Sequence, residues 1–285
     1  MILSFHPIIE GDKNILCAGR LPDDQDLIAI QRAEAVILPQ GCPESLYRLA
    51  RAHCPAIFPN LDVRFDYPGK RGQIRLFREL GVAHPATEIF DSSDDFYRRP
   101  TAIALPSVVK LDWGGQGETV FKVADPQELT RTLERVQACE RTGQKGFLVQ
   151  AFIPTEQRAL RVTVIGRRQI TYWRIQPDPE RFGTSVSAGA CIDHDTDPPL
   201  KAAAEAVVAD FCRRTGLQLA GFDFIFDRRL LDQGRIAPLM LEINYFFGRT
   251  GLGGSEGYYR ILVGEVEAWL AARHLNRGGR GHQEA

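Results

Sequence analysis

The spacing of hydrophobic positions changes period several times along the chain, and each period marks a different kind of element. Over residues 1–63, short apolar runs at Met1–Phe5, Ile15–Ala18, Ala35–Leu38 and Ala56–Phe58 alternate with amphipathic stretches near Asp24–Arg32 and Pro43–His53. Short apolar runs bounded by polar turns read as buried strands, and their alternation with helices predicts a small parallel sheet. Pro85–Phe90 opens a second group of strands, followed by a helix from about Asp125 to Cys139 whose start is marked by an N-cap aspartate and Pro126. Leu200, Ala203, Ala204, Val207, Val208, Phe211 and Cys212 recur at helical spacing, with Gly216 as the stop. Tyr258, Ile261, Leu262, Val266 and Trp269 form another such stripe. Both stripes predict core-facing helices without chemistry.

Two strands carry polar residues where the pattern predicts burial. In Leu239–Asn244 the period of two places Glu242 and Asn244 on one face, and Ala220–Phe226 is interrupted by Asp223. A buried acid is costly unless a cation or donor meets it. Either these are edge strands with polar groups in water, or the three side chains form an oxygen cage. Cages of one or two carboxylates completed by substrate phosphates suit Mg²⁺, so the second reading implies a Mg-nucleotide.

Val108–Phe121 is a strand bearing Lys110, then a turn with Gly114, Gly115, Gln116 and Gly117, then a second strand. Glycines let backbone N–H groups approach an anion, and a lysine supplies a point charge for phosphate. The order is not that of a Walker loop, because a strand follows the glycines where a helix would be needed. The segment reads as a hairpin flap over phosphates or as a plain hairpin with a surface lysine.

Taken together, these segments resemble the ATP-grasp superfamily over about residues 64–272, in particular ribosomal-protein glutamate ligases and glutathione synthetase-like carboxylate–amine ligases. The resemblance implies an α/β chain with α+β lobes: a parallel-sheet lobe at 1–63, a linker helix and flap lobe at 64–150 and a metal-binding lobe at 151–275, while the Gly- and Arg-rich composition of 276–285 reads as a flexible tail. ATP is then held between two α+β lobes. Lys70 and Lys110 match the family's phosphate lysines, and Gly114, Gly115, Gln116 and Gly117 its flap. Gln150, Ala151, Phe152 and Ile153 match the adenine hinge, and Glu156 stands where an acid often holds the ribose. Arg161 and Arg174 match the arginines near the transferred phosphate, and Asp223, Glu242 and Asn244 match the ligands for Mg²⁺, or Mn²⁺ in its place.

Departures fall on the acceptor side. Ala151 replaces a usual acid, Ala159 stands where many amino-acid ligases carry aspartate, and Ser185 occupies a common asparagine position. The resemblance implies a ligase joining a small-molecule or peptide carboxylate to an amine, with a kinase acting on an inositol-phosphate-like polyol as the alternative. Ligands of open α/β sheets lie beyond the carboxyl ends of the strands, which selects Ser4, His6, Gln40 and Cys42 as acceptor contacts. Gly248 and Arg249, directly after the metal strand, join Ser185 as further candidates.

Composition narrows the partners. A formal net charge of −1 argues against nucleic-acid binding, and no apolar run approaches a membrane span. The six cysteines show no ligand spacing and read as free thiols, and the six histidines are dispersed. These features lead to the expectation of a cytoplasmic enzyme, with an exposed helix available for a homodimer.

Overall fold

The structure is a computed structural model that describes residues 1–17, 19–99, 101–115 and 117–275. Gln116 and the predicted tail at 276–285 lie outside the described residues. Three sheets organise the chain.

The first sheet is parallel, in the order β2-β1-β3-β4, and consists of β1 (Ile2–Ser4), β2 (Lys13–Asn14), β3 (Ala35–Ile37) and β4 (Ile57–Phe58). Helices α1 (Asp24–Gln31) and α2 (Glu44–His53) connect it, as the alternating pattern predicts. Of the expected strand at Ile15–Ala18, Ala18 lies outside the described residues and Ile15–Cys17 form no strand: the edge strand is Lys13–Asn14, paired with Leu3 and Ser4. A Cβ on Gly11 would lie 2.6 Å from the Ile2 carbonyl oxygen, so glycine brings the chain against β1 before the apolar run begins.

Helices α3 (Asp62–Asp66) and α4 (Gly69–Glu79) lead into the second sheet. It is antiparallel, in the order β5-β8-β6-β7, built from β5 (Thr87–Phe90), β6 (Ser107–Leu111), β7 (Val120–Val123) and β8 (Phe147–Ala151). Short α5 (Ser93–Arg98) and long α6 (Pro126–Arg141) accompany it. The α6 start is the one expected, with the Asp125 carboxylate accepting from the Glu128 N–H at 2.8 Å.

The third sheet is antiparallel, in the order β11-β10-β9-β12-β13. Its strands are β9 (Arg158–Ile165), β10 (Arg168–Ile175), β11 (Cys191–Asp193), β12 (Leu219–Phe226) and β13 (Pro238–Asn244). The accompanying helices are α7 (Pro198–Thr215), the single turn α8 (Arg228–Leu231) and α9 (Gly254–Ala271). Gly216 caps α7 at φ +71°, as its position predicts.

The period of two divides the third sheet into two faces. Leu160, Val162, Val164, Phe222, Phe224 and Ile243 share a core with α7 and with Ile74 and Phe77 of α4. On the other face, Ile165, Tyr172 and Leu219 pack with Tyr258, Leu262 and Val266 of α9, and with Ile2, Ala35 and Phe58 of the first sheet. Helix α9 therefore joins the first sheet to the third. The polar residues Arg161, Asp223, Glu242 and Asn244 extend this second face.

Candidate active site

Strand register assembles the centre of the site. Asp223 on β12 lies opposite Arg161 on β9 and Glu242 on β13, while Gly221 lies opposite Asn244, and a bulge follows Asp223. The Arg161 guanidinium grips the Asp223 carboxylate with two bonds, Nε to Oδ1 at 2.5 Å and Nη2 to Oδ2 at 2.9 Å. Arg174 on β10 adds a contact at 2.8 Å. Asn244 Nδ2 donates to Asp223 Oδ2 at 3.0 Å and to Glu242 Oε1 at 3.2 Å.

Charge balance keeps Asp223 and Arg161 ionised despite their burial. Burial alone would push the Asp223 pKa up, but Arg161 and Arg174 outweigh it and hold the carboxyl at about 2. Burial acts to lower the Arg161 pKa, and the Asp223 charge more than reverses that. Space for the ion pair comes from Gly221, where a Cβ would meet Arg161 Nη1 at 2.9 Å and Phe247 Cβ at 3.2 Å.

The donor set suits a hard cation. Two carboxylates converge on one amide, and a half-turn of the Asn244 amide would bring its oxygen to the same point. Among the described residues no three His, Cys, Asp or Glu side chains gather into a metal cluster. A cation here therefore depends on Asn244 and on oxygens brought by a substrate, and it competes with Arg161 and Arg174 for Asp223.

The two predicted lysines face this cluster. Lys110 on β6 is buried, and Lys70 lies in the first turn of α4; burial lowers both pKa values while the Glu242 charge opposes the fall. Both lysines thus share the electrostatic environment of Glu242. Lys70 Nζ donates to the carbonyl oxygens of Trp113 at 3.1 Å and Gly114 at 3.2 Å, so its ammonium is fastened to the flap. The flap is the hairpin turn between β6 and β7. Gly114 takes φ +81°, and a Cβ there would lie 2.5 Å from Thr119 Cγ2. Gly115 has open space around it, and Gly117 takes φ +85°.

Sequence reading missed the partners that hold the flap. Asp112 accepts from the Arg71 N–H and Nε, both at 2.8 Å, tying the flap base to the start of α4. Gln73 clamps β13 between Glu242 and Asn244 by donating to the Ile243 oxygen at 2.9 Å and accepting its N–H at 2.8 Å. Buried polar residues on an amphipathic helix were the available signal.

The residues expected to form a hinge lie at the end of β8 and just beyond it. The Gln150 side chain donates to Thr87 Oγ1 at 2.8 Å, so its amide supports the sheet, and the Ala151 N–H donates to Ala86 at 2.8 Å. Beyond the ladder, the Phe152 ring has Lys122 Nζ 4.5 Å from its centre and Phe182 at 6.4 Å. Ile153 follows it. Glu156, at φ +52°, pairs with Arg228 at 2.5 Å.

The acceptor candidates divide into two places. His6 Nδ1 accepts from the Ile8 and Ile9 N–H groups at 3.1 and 3.0 Å, so the ring caps its own turn. Burial, aided by the Arg249 charge, lowers its pKa to about 4. His6 and Arg249 nevertheless meet on one wall: the His6 ring lies 6.2 Å from Tyr259, and Arg249 stacks over Tyr258 and Tyr259 at 4.3 and 4.7 Å. Gln40 joins them, donating to the Tyr245 oxygen at 2.7 Å and accepting from Tyr258 at 3.3 Å. Ser4 is spent on its own loop, its hydroxyl donating to the Ile9 oxygen. Burial pushes the Cys42 thiol up to about 12, which makes it a poor nucleophile. Gly248 has open space around its Cα, so close packing does not require glycine there. Ser185 lies in the connection between β10 and β11, sharing a hydrogen bond with Ser187 at 2.8 Å.

A family model described as the RimK-like ATP-grasp domain matches residues 70–258. The chain belongs to the RimK-like ATP-grasp family. The match runs from Lys70 to Tyr258 and so takes in both lysines, Arg161, Arg174, Asp223, Glu242, Asn244 and Arg249. The ATP-grasp fold is shared with solved structures at low identity. A RimK domain protein ATP-grasp from Sphaerobacter thermophilus DSM 20745 is 14% identical with a TM-score of 0.57, covering 95% of this chain and 99% of that one. D-alanine–D-alanine ligase from Bacillus anthracis, solved with ATP, is 15% identical with a TM-score of 0.61, covering 92% and 86%. An N5-carboxyaminoimidazole ribonucleotide synthetase solved with ADP is 10% identical with a TM-score of 0.58, covering 85% of this chain. This ATP-grasp chain spans only 62% of that synthetase's length. No curated protein matches the sequence.

Proposed function

We propose that the chain is an ATP-dependent ligase that activates a carboxylate and joins it to an amine, releasing ADP and phosphate. The observation that carries this reading is the convergence of Lys70 and Lys110 on the charge of Glu242, beside the buried Asp223 held by Arg161 and Arg174. That arrangement suits a polyphosphate delivered with a divalent cation. Family membership and the ligases among the fold neighbours support the same reading.

In this account adenine lies by Phe152 and Ile153 beyond the end of β8, and Glu156 holds the ribose after releasing Arg228. Lys70, Lys110 and the flap glycines carry the phosphates. Asp223, Glu242 and Asn244 would hold Mg²⁺, which when bound neutralises phosphate charge. An oxygen of the substrate carboxylate attacks the γ-phosphorus, the bond to ADP breaks, and an acylphosphate forms. The amine then attacks the carbonyl carbon, loses a proton, and expels phosphate. In this reading Lys110, Arg161 and Arg174 stabilise the charge that develops on the transferred phosphoryl group, the two arginines turning from Asp223 towards phosphate as the cation binds. A flap closed over the intermediate would exclude the water that hydrolyses it.

The wall of His6, Gln40 and Arg249 is the acceptor side in this reading, with Ser185 and Gly248 at its approaches. Replacing Lys110 with Met tests the assignment. Turnover should fall by about 10²-fold or more with the fold retained, as for loss of a fixed charge at the reacting phosphate. Unchanged ATP consumption by Lys110→Met would refute it.

A further inference from the structure

Glu156, the acid assigned above to the ribose, is held by an arginine to which the mechanism gives no further part. Its Oε1 accepts from Arg228 Nη1 at 2.5 Å, and its Oε2 lies 4.0 Å from Arg158 Nη2. The two arginines differ in freedom. Arg158 is anchored, paired with Asp197 and lying with its guanidinium carbon 4.4 Å from the centre of the Trp173 ring. Arg228 stands at the surface, its side chain 47% exposed and that of Glu156 49%.

Arg228 also has a second acid. Its Nε donates to Asp232 Oδ1 at 2.7 Å, one turn along α8, so it keeps a counter-charge when Glu156 departs. Its backbone N–H donates to the Pro154 oxygen at 3.2 Å, which docks α8 on the segment leading from β8 to Glu156. The cavity between Thr155, Arg158, Trp173, Phe226 and this ion pair measures about 10 Å³, room for no more than one water. A guanidinium leaving Glu156 therefore stays at the surface with Asp232. Glu156 and Gln157 are both left-handed, at φ +52° and +59°, and Gln157 Oε1 is buried without a hydrogen-bond partner among the described residues. Consecutive non-glycine residues in that region store strain, which is found at ligand clamps and switching segments.

We propose that Arg228 is an internal competitor for the ribose of the nucleotide. It holds the acid until the sugar hydroxyls displace it to Asp232, and it returns as ADP leaves. Arg158, anchored by Asp197 and Trp173, keeps a positive charge beside the carboxylate through the exchange. An exposed ion pair shifts an equilibrium by up to about fivefold, so Arg228 tunes nucleotide affinity and does not block the site. Because only the hydroxyls meet the acid, the effect is confined to nucleotides that carry them. This deepens the ATP-dependent reading and rests on it for the place of the ribose.

Calorimetric titration of Mg-ADP, with Mg-2′,3′-dideoxy-ADP as the probe lacking both hydroxyls, tests the exchange without turnover. Arg228→Gln should bind ADP about two- to fivefold more tightly than the wild type, the range of an exposed ion pair, and should bind the dideoxy nucleotide with unchanged affinity. Asp232→Asn removes the alternative partner of Arg228 and should weaken ADP binding by a similar factor, again without effect on dideoxy-ADP. In a Glu156→Gln background the further change Arg228→Gln should have no effect. Opposite shifts from two surface substitutions on one turn, both dependent on the sugar, are not what a damaged α8 produces, so the two variants together separate competition from loss of structure. ADP affinity unchanged or weakened in Arg228→Gln, or both nucleotides shifted alike, would overturn the competitor and leave the ATP-dependent reading standing. A wild-type protein that binds neither nucleotide would overturn both.

Discussion

Asp223 is buried between two guanidinium groups, and its charge has consequences that are measurable without substrate. Asp223→Asn would leave Arg161 buried without a counter-charge, and removing one partner of a buried pair costs about 3–5 kcal/mol. Denaturant unfolding should show that loss; a wild-type midpoint would contradict it. The sign of the pH dependence is set by the folded pKa of about 2, against about 3.9 for an unfolded aspartate. Stability from this group is complete above about pH 4 and is lost as pH falls towards 2. His6 acts in a higher window. Its folded pKa of about 4 lies below the usual 6.5, so the unfolded chain takes up protons first and stability declines as pH falls from about 6.5 to 4. His6→Asn retains an acceptor for the Ile8 and Ile9 N–H groups and should flatten unfolding midpoints over that window. An unchanged decline would assign it to other groups. Gly221→Ala should also reduce activity, because the added Cβ meets Arg161 and Phe247, with overpacking costing about 1–3 kcal/mol.

Elements convert these single residues into a site, and helix α4 does most of that conversion. Its first turn offers Lys70 and Arg71 to the flap, and one turn later Gln73 clamps the backbone of Ile243 between two proposed metal ligands. Gln73→Leu would leave a buried N–H and C=O unpaired and should cost about 1–3 kcal/mol, more than a surface substitution on the same helix. Equal effects from both would rule out the clamp. The placement of Glu242 and Asn244 on one face was legible from the period of two, and the Asp125 cap and Gly216 stop were legible from local chemistry. The pairing of Asp112 with Arg71 and of Gln73 with Ile243 was not, because such contacts join segments 41 and 170 residues apart. Nor did alternation predict the β2 edge strand, where the close approach of Gly11 to Ile2 overrides the apolar run at Ile15.

At the scale of the molecule, the third sheet buries one face against α7 and α4 and the other against α9, and α9 in turn carries the first sheet. The polar end of that second face is left between the flap and the strand ends of the first sheet. The alternating strands and helices of residues 1–63 foretold a parallel sheet. They could not foretell which of its residues would meet Arg249, since that depends on how α9 seats the sheet. Among the described residues no helix is long and apolar enough to cross a membrane. The central claim is that γ-phosphoryl transfer from ATP creates an acylphosphate that an amine consumes. The most direct measurement is the stoichiometry of ADP and free phosphate formed from Mg-ATP with pools of carboxylates and amines, with the products identified by mass. One phosphate per ADP, formed only when both acceptors are present and accompanied by an amide product, is the expected result. ADP without free phosphate, and a product heavier by a phosphoryl group, would contradict the account and identify a kinase.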